Sequence, residues 1–179
     1  MEKEISAGFV VVRETLEGPK FLLLYHGGGY WNFPKGKIQA EEGSIQAAFR
    51  ETLEETGLKS RNLHIERGFK AYEKFTFFKK ERKKVFKIVI FYLAKTSEQQ
   101  ISISPREHEG YGWFLYKDAK KIVARHKDTG ELLEKAYKFL KQRQEPSNTI
   151  KSEETKTDKI HAQGLPDSKK DTKGRDTNI

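Results

Sequence analysis

The feature that most constrains this chain is an acidic segment, GKIQAEEGSIQAAFRETLEETGL, at residues 36–58. The segment holds five glutamates, although the whole chain has a formal net charge of +9. Carboxylates this close together resist simultaneous ionisation unless a cation compensates their charge. The fold must therefore either leave these glutamates in water or gather them around a metal ion.

The middle of this segment has the pattern of an amphipathic helix over Ser44–Thr56. Ser44 is a suitable N-cap, and Gly57 is placed just past the last turn, where glycine commonly ends a helix. We expect the helix to pack on the core through a narrow stripe of four residues, Ile45, Ala48, Phe49 and Thr52.

Three glutamates share one face of this predicted helix. Glu51, Glu54 and Glu55 are spaced i, i+3 and i+4, which places their carboxylates together and away from the apolar stripe. Oxygen clusters of this kind suit Mg²⁺, which is commonly held by a few carboxylates together with substrate phosphates. Arg50 can orient a carboxylate or contact a phosphate. The same pattern also describes a solvated helix face with a surface arginine.

The flanking segments predict an α/β fold. The runs ISAGFVVVRE and FLLLYH indicate a hairpin of half-buried strands, and further strands are expected at residues 63–78, at 85–95 and in YGWFLY. The run HGGGYWNFPKGK is either a loop that brings backbone close to a ligand or an ordinary flexible connection. After Asp128, a suitable cap, four residues recur at helical spacing: Leu133, Ala136, Tyr137 and Leu140.

Composition narrows the class of protein. The chain has no cysteine, which excludes disulfides and thiol nucleophiles, and it shows neither a signal peptide nor an 18-residue apolar run. We therefore expect a soluble, cytoplasmic protein with no membrane partner. Its 35 Lys and Arg against 26 Asp and Glu favour anionic partners such as nucleotides or nucleic acid. We expect one domain at residues 1–145, followed by a disordered polar tail at 146–179 that has no aromatic residue.

The order and spacing of the acidic segment resemble the signature of the Nudix hydrolase family at eight positions: Gly36, Glu42, Arg50, Glu51, Glu54, Glu55, Gly57 and the apolar Leu58. Thr52 stands where the family usually has an aliphatic residue, but its methyl group can still face the core. The resemblance implies a Nudix-type α/β/α sandwich with a mixed β-sheet. It also implies that the motif forms the loop and helix that hold a divalent metal against a diphosphate.

The resemblance implies roles for individual residues of the motif. Glu51, Glu54 and Glu55 are expected to bind the metal, Gly36 to contact metal or phosphate through its backbone, and Arg50 to orient Glu51. The expected cofactor is Mg²⁺, with Mn²⁺ as an alternative, and water attacks phosphorus. Glu51 is the first candidate for the general base. A carboxylate of the loop SPREHEGYGWF, Glu107 or Glu109, or else His108, is the second, unless this loop is a plain polar surface.

A wider likeness covers residues 6–115 and resembles the asymmetrical diadenosine tetraphosphate hydrolases, which implies cleavage of that dinucleotide to ATP and AMP. Lys87 and Lys35 are the candidates for phosphate binding, while the cluster at residues 79–84 is a solvated hairpin tip or a further phosphate contact. Tyr111 matches the base-stacking tyrosine of this branch. Three further aromatic residues either stack on a base or belong to the core: Tyr72, Phe75 and Phe77.

Three alternatives remain at this point. A basic surface also suits an enzyme that removes pyrophosphate from the 5′ end of RNA. A hydrolase acting on oxidised nucleoside triphosphates would make less use of the lysines. The chain could also be a catalytically silent nucleotide- or RNA-binding module on a Nudix scaffold, although such a module has no evident need for the acidic cluster. We expect a monomer or a weak dimer.

Overall fold

The computed structural model describes residues 2–79 and 82–144, so the predicted tail at 146–179 lies outside the described residues. The described part contains eight strands and three α-helices. Their bounds in chain order are β1 Glu2–Arg13, β2 Lys20–Tyr25, β3 Trp31–Asn32, β4 Lys35–Lys37, α1 Ser44–Thr56, β5 His64–Ile65, β6 Ala71–Phe78, β7 Lys84–Lys95, β8 Gly110–Leu115, α2 Tyr116–Ile122 and α3 Lys127–Gln144. A short 3-10 helix, Ser60–Asn62, links α1 to β5.

The strands form one mixed sheet with the order β3-β2-β1-β7-β5. In addition, β4 pairs with β1, β6 with β7 and β8 with β2. The hairpin partners β1 and β2 are antiparallel, as predicted, whereas β1 and β7 are parallel over eleven residue pairs. Because β1 lies between two neighbours at the centre of the sheet, seven consecutive residues of it are buried rather than every second one.

Each face of the sheet carries its own core. Alternate residues of β1 point to opposite faces, so that Val10 and Val12 pack in the cluster that contains α2 and α3. Phe9 and Val11 pack in the cluster that contains α1. Helices therefore cover a mixed sheet on both sides, which confirms the predicted α/β/α sandwich. Within the described residues, no helix is both long enough and apolar enough to cross a membrane.

Helix α1 has the predicted bounds, but its cap differs from the prediction. Gly43 is the N-cap, and its N–H donates to the side-chain oxygen of Gln46 at 2.7 Å. Ser44 is instead the first helical residue, and its hydroxyl hydrogen-bonds to that of Tyr92 at 2.7 Å. The helix ends as predicted at Gly57, which adopts a left-handed conformation with φ of 72°.

The buried face of α1 is also rotated relative to the predicted stripe. Five residues form it: Ala47, Ala48, Thr52, Glu55 and Thr56. Ile45 is 37% exposed, so its predicted place in the stripe is wrong, because the helix meets the closely approaching strands through its small residues. Thr52 is fully buried, as expected. The rotation has a functional consequence, since it buries Glu55 at the sheet.

The C-terminal half differs from the prediction in two further places. YGWFLY is not all strand, because β8 ends at Leu115 and Tyr116 begins helix α2, which the sequence pattern did not reveal. Helix α3 starts at Lys127, so Asp128 lies in its first turn rather than at the cap. Tyr137, predicted to face the core, is partly buried and stacks on Tyr116 with the ring centroids 3.9 Å apart.

Candidate active site

The close approach of β4 to α1 begins the site. Gly36 lies on β4 opposite Ala7 of β1, and a Cβ atom at Gly36 would overlap the carboxyl group of Glu51. Any side chain at position 36 would therefore displace the carboxyl end of the flexible Glu51 side chain. The sequence predicted Gly36 as a contact of metal or phosphate, and the structure brings its backbone next to the predicted metal ligands.

Arg50 is the cation at the centre of the acidic segment. Its Nε and Nη2 donate to the two carboxyl oxygens of Glu42 at 3.1 and 2.6 Å, a bidentate pair. Its Nη1 donates to Glu51 at 2.7 Å and to Glu54 at 3.2 Å. The guanidinium also donates to the backbone carbonyl of Lys37 at 3.0 Å. One arginine thus compensates three of the five crowded glutamates.

The pKa values of Glu42 and Glu51 are shifted in opposite directions. The hydrogen bond from Arg50 lowers the pKa of Glu42, and the same bond is the main reason why the pKa of Arg50 is raised. Burial raises the pKa of Glu51, and the neighbouring charges of Glu55 and Glu54 add to this rise. Glu51 is therefore a carboxylate whose charged form still lacks compensation, and a cation would supply it.

Glu55 is the buried member of the cluster, with 5% of its surface exposed. Its Oε2 accepts the backbone N–H of Lys35 at 3.0 Å, and its Oε1 lies 3.4 Å from Nε2 of His108. Glu107 belongs to the same group, because one ligand atom from each of Glu55, Glu107 and His108 lies within 4.8 Å of the others. Glu109 instead lies against Gly27. The loop before β8 therefore brings Glu107 and His108 to α1, as the second of the two predictions for the base requires.

The residue types present fit a hard divalent cation. Glu51, Glu54 and Glu55 offer carboxylate oxygens from adjacent turns of α1, and Glu54 is exposed to solvent. The uncompensated charge at Glu51 is independent support, because it is the condition that a bound cation relieves. No softer ligand is available from cysteine anywhere in the chain. A cation of the magnesium type is the group that this donor set suits.

A cleft of about 340 Å³ opens on the face of the sheet that α3 covers. This volume is in the usual range for a small-ligand site, roughly 300–1,000 Å³. Nine residues line it: Tyr30, Asn32, Glu73, Phe75, Arg125, His126, Lys127, Asp128 and Thr129. Of these, only Phe75 was considered for ligand binding from the sequence. The alternation of Ala71, Glu73 and Phe75 along β6 was the signal that Glu73 points inward.

A row of rings connects the acidic cluster to this cleft. His108, beside Glu55, lies 4.5 Å from His26 between ring centroids, and His26 lies 5.0 Å from Tyr30. Tyr30 in turn lies 4.7 Å from His126 in the cleft wall. Burial lowers the pKa of His26 to about 4, and the positive charge of Lys35 contributes to this shift. His26 is therefore neutral near pH 7, and its ring lies between those of His108 and Tyr30.

The two predicted phosphate-binding lysines carry charges that act on the cleft wall. The backbone N–H of Lys35 donates to Glu55, and the positive charge of its side chain partly offsets the rise that burial causes in the pKa of Glu73. Lys87 is ion-paired with Glu4 at 3.1 Å, and its charge partly offsets the rise that burial causes in the pKa of Tyr30. Lys35 is therefore associated with both regions, and Lys87 with a residue of the cleft wall.

The two predicted base-stacking tyrosines are outside the cleft lining. Tyr72 is 48% exposed, and its ring lies under Lys70 and Lys74 at 5.8 and 6.0 Å. Tyr111 is 38% exposed on β8, opposite Leu24 of β2. Neither ring contributes to the cleft, whose aromatic walls are Tyr30, Phe75 and His126. A base that stacks on Tyr72 or Tyr111 would therefore lie outside the cleft.

Comparison with known proteins bears on the origin of this arrangement. Residues 3–135 match the NUDIX domain. The chain belongs to the Nudix family. Its Nudix relatives include the asymmetrical bis(5′-nucleosyl)-tetraphosphatase of Sus scrofa, which is 32% identical over 144 residues, or 75% of this chain and 94% of the relative. The enzyme of the same name from Caenorhabditis elegans is 33% identical over 75% of this chain and 95% of its own.

Solved structures agree with this assignment. The crystal structure of a C. elegans Ap4A hydrolase binary complex superimposes with a TM-score of 0.66 at 32% identity, covering 78% of this chain and 98% of that chain. The protein is therefore a Nudix hydrolase that is homologous to asymmetrical Ap4A hydrolases. This result confirms the family and the branch to which the spacing of the acidic segment pointed.

Proposed function

We propose that this Nudix hydrolase cleaves dinucleoside tetraphosphates, with diadenosine tetraphosphate giving ATP and AMP, by attack of water on phosphorus. The observation that carries this proposal is the acidic cluster on α1 together with a cleft of small-ligand size, which the row of rings from His108 to His126 connects. Lys35 donates its backbone N–H to Glu55, and its side-chain charge acts on Glu73 in the cleft. A nucleoside in the cleft would direct its phosphates toward those carboxylates. The similarity to tetraphosphatases over three quarters of the chain supports the same substrate class.

The metal-binding residues in this proposal are Glu51, Glu54 and Glu55, with the backbone of Gly36 beside them. Mg²⁺ is the proposed ion, since it prefers carboxylate and phosphate oxygens, and Mn²⁺ has similar ligand preferences. A divalent ion bound there neutralises phosphate charge and lowers the pKa of its bound water. Arg50 keeps Glu51 in place through the 2.7 Å hydrogen bond, which leaves the other oxygen of Glu51 for the site.

Two carboxylates compete for the role of general base. We propose Glu51 first, because burial raises its pKa and makes it a better proton acceptor than an exposed glutamate. Glu107 is the alternative, because its loop brings it next to Glu55 while its side chain stays exposed. Replacing each by Gln separates the roles. The variant that lacks the true base should lose most of kcat and the acidic limb of the pH profile, because that limb reports protonation of the base, whereas the other variant should retain it.

Binding of the remaining substrate groups is proposed as follows. Lys35 and Lys87 neutralise the phosphate chain, and Lys87 exchanges its carboxylate partner Glu4 for a phosphate oxygen. The second nucleoside, outside the cleft, has exposed aromatic rings available, first Tyr111 and then Tyr72. We also propose that the protein acts in the cytoplasm, because the absence of cysteine suits a reducing compartment, and that it is a monomer or weak dimer.

Removal of pyrophosphate from an RNA 5′ end is the second candidate function. Arg125 and Lys127 line the cleft, so a polynucleotide backbone leaving the cleft would meet positive charge. Purified protein with Mg²⁺ should therefore be offered diadenosine tetraphosphate, an oxidised guanosine triphosphate and a 5′-triphosphorylated oligonucleotide in parallel. The proposal requires ATP and AMP from the first substrate at the highest kcat/KM. Pyrophosphate release from RNA alone would assign the second function, and binding without turnover would indicate a silent module.

A further inference from the structure

Glu73 is a buried acid that the proposed reaction does not use. It lies on β6 with 4% of its surface exposed, and it lines the cleft beside Phe75. Thr129 on α3 hydrogen-bonds to its carboxyl group, but its Oε1 has no hydrogen-bond partner. Leaving a buried acceptor unpaired costs free energy, so this oxygen favours a ligand that brings an N–H group to it.

The other polar groups near Glu73 are already engaged or carry charge. The side chain of Asn32 accepts the N–H of Phe33 and donates to the hydroxyl of Tyr30, both at 2.7 Å. Among the cleft-lining residues, all within the described part of the chain, Oε1 of Glu73 is the buried side-chain atom without a partner. The aromatic side chains of Tyr30, Phe75 and His126 line the cleft together with Glu73. The surroundings therefore suit a flat ring that carries hydrogen-bond donors on its edge.

We propose that Glu73 reads the pairing edge of a purine base in the cleft and favours guanine over adenine. Guanine presents two adjacent donors, its N1–H and its N2 amino group, which a carboxylate can accept together. Adenine presents N1 as a lone pair, which the ionised carboxylate repels, so the preference applies above the pKa of Glu73, about 7, and is measured at pH 8.5. Glu73 is thus a specificity-determining residue, and this inference rests on the proposed function, since it concerns which end of a dinucleotide occupies the cleft.

The sharpest test uses a mixed dinucleotide, adenosine and guanosine joined by four phosphates. Asymmetrical cleavage gives either ATP with GMP or GTP with AMP, and the base in the cleft decides which bond is placed at the carboxylates. The product ratio is therefore an internal competition that does not depend on the overall rate. The wild-type protein should favour one product pair by roughly tenfold or more, the discrimination expected for a bidentate base contact.

Glu73→Gln should move this ratio toward the opposite pair. A glutamine amide can donate to N1 of adenine and accept from its N6 amino group, and it can equally accept from N1–H of guanine and donate to O6, so the ratio should move toward unity and can pass beyond it. Glu134→Gln is the matched control, because Glu134 is on the outer surface of α3, paired with Lys138 at 2.7 Å. The control should leave the ratio unchanged. A wild-type ratio within twofold of unity, or one that Glu73→Gln does not move, overturns the inference.

Binding measurements separate this inference from the proposed function. If no dinucleotide is hydrolysed, the proposed function fails, but calorimetric titration with GMP and AMP still tests Glu73. The wild-type protein should bind GMP at least fivefold more tightly than AMP, and Glu73→Gln should remove or reverse that difference. Equal affinities of the wild-type protein for the two nucleotides overturn the inference, whatever the outcome of the hydrolysis assay.

Discussion

At the scale of single residues, the crowded glutamates differ in burial and in how their charge is compensated. Glu42 is held by Arg50 and by the backbone N–H of Gln39, which suits a structural anion. Glu51 remains poorly compensated, and Glu55 is buried between β4 and the loop before β8. Among the three proposed metal ligands, Glu54 is the exposed one, so its carboxylate contributes least to the fold and is the cleanest probe of metal binding.

Glu54→Gln is expected to lower kcat by at least about a hundredfold, because it removes a proposed metal ligand. The fold should be unaffected, since Glu54 is exposed and the amide oxygen can still accept from Arg50. Added Mg²⁺ should raise the melting temperature of the wild-type protein but not that of the variant, because an ion that binds only the folded state stabilises it. Undiminished turnover would contradict the assignment of Glu54.

Glu73 should make stability depend on pH in a direction opposite to that of most carboxylates. Burial, reinforced by the charge of Asp128 and opposed by Lys35 and Thr129, raises its pKa from 4.5 to about 7. Between these values the folded state binds more protons than the unfolded state, so this residue's contribution to stability falls as pH rises from 4.5 to 7. The full loss is roughly 3 kcal/mol.

Urea unfolding at pH 5 and pH 8 measures this effect. Glu73→Gln cannot titrate, so its stability relative to the wild-type protein should increase between the two pH values by up to roughly 3 kcal/mol. Glu134→Gln, altered at an exposed site, should show no such change. A difference between Glu73→Gln and wild type that is the same at both pH values would refute the raised pKa.

At the scale of secondary-structure elements, the sequence predicted what depends on local spacing. The bounds of α1, its glycine stop and the shared face of its glutamates follow from residues within one segment. The rotation of its buried face does not, because it depends on how closely β1 and β4 approach. The cleft was not predictable for the same reason, since its lining comes from β3, β6 and the α2–α3 junction, which are distant in sequence.

Gly36→Ala tests the packing of β4 on α1. The added Cβ would overlap the carboxyl end of the flexible Glu51 side chain, so we expect that carboxylate to be displaced, with kcat lowered by about tenfold or more and little change in unfolding free energy. Gly130→Ala is the matched control, because its Cβ would meet only Val123 at 4.0 Å inside α3. There alanine should stabilise the helix by about 0.5–1 kcal/mol and leave kcat unchanged. Equal kcat values of the two variants would contradict the close approach.

At the scale of the whole molecule, the fold places two kinds of chemistry on a single sheet. The acidic cluster lies where α1 meets β4, and the cleft lies on the side of α3, with the strands and the ring row between them. The sequence motif alone predicted the first region and the chemistry proposed for it. The second depends on tertiary contacts, which explains why Tyr111 and Tyr72 were predicted as base contacts while the cleft contains neither.

Removal of residues 146–179 should leave hydrolysis of diadenosine tetraphosphate within about twofold of the intact chain, because the match to the NUDIX domain ends at residue 135. The proposed catalytic residues and the residues that line the cleft all precede position 130. Steady-state kinetics of the shortened and intact proteins at equal Mg²⁺ concentration measure this. A large loss of activity in the shortened protein would show that the tail belongs to the site.

The most direct test of the central claim is to measure hydrolysis of diadenosine tetraphosphate with Mg²⁺ in ¹⁸O-labelled water. The products are resolved by ion-exchange chromatography and mass spectrometry. We predict equal amounts of ATP and AMP, with one labelled oxygen in only one of the two products, and a reaction at least about a hundredfold slower in the Glu54→Gln variant. Formation of two ADP molecules, or undiminished turnover in that variant, would contradict asymmetric cleavage at the carboxylates of α1.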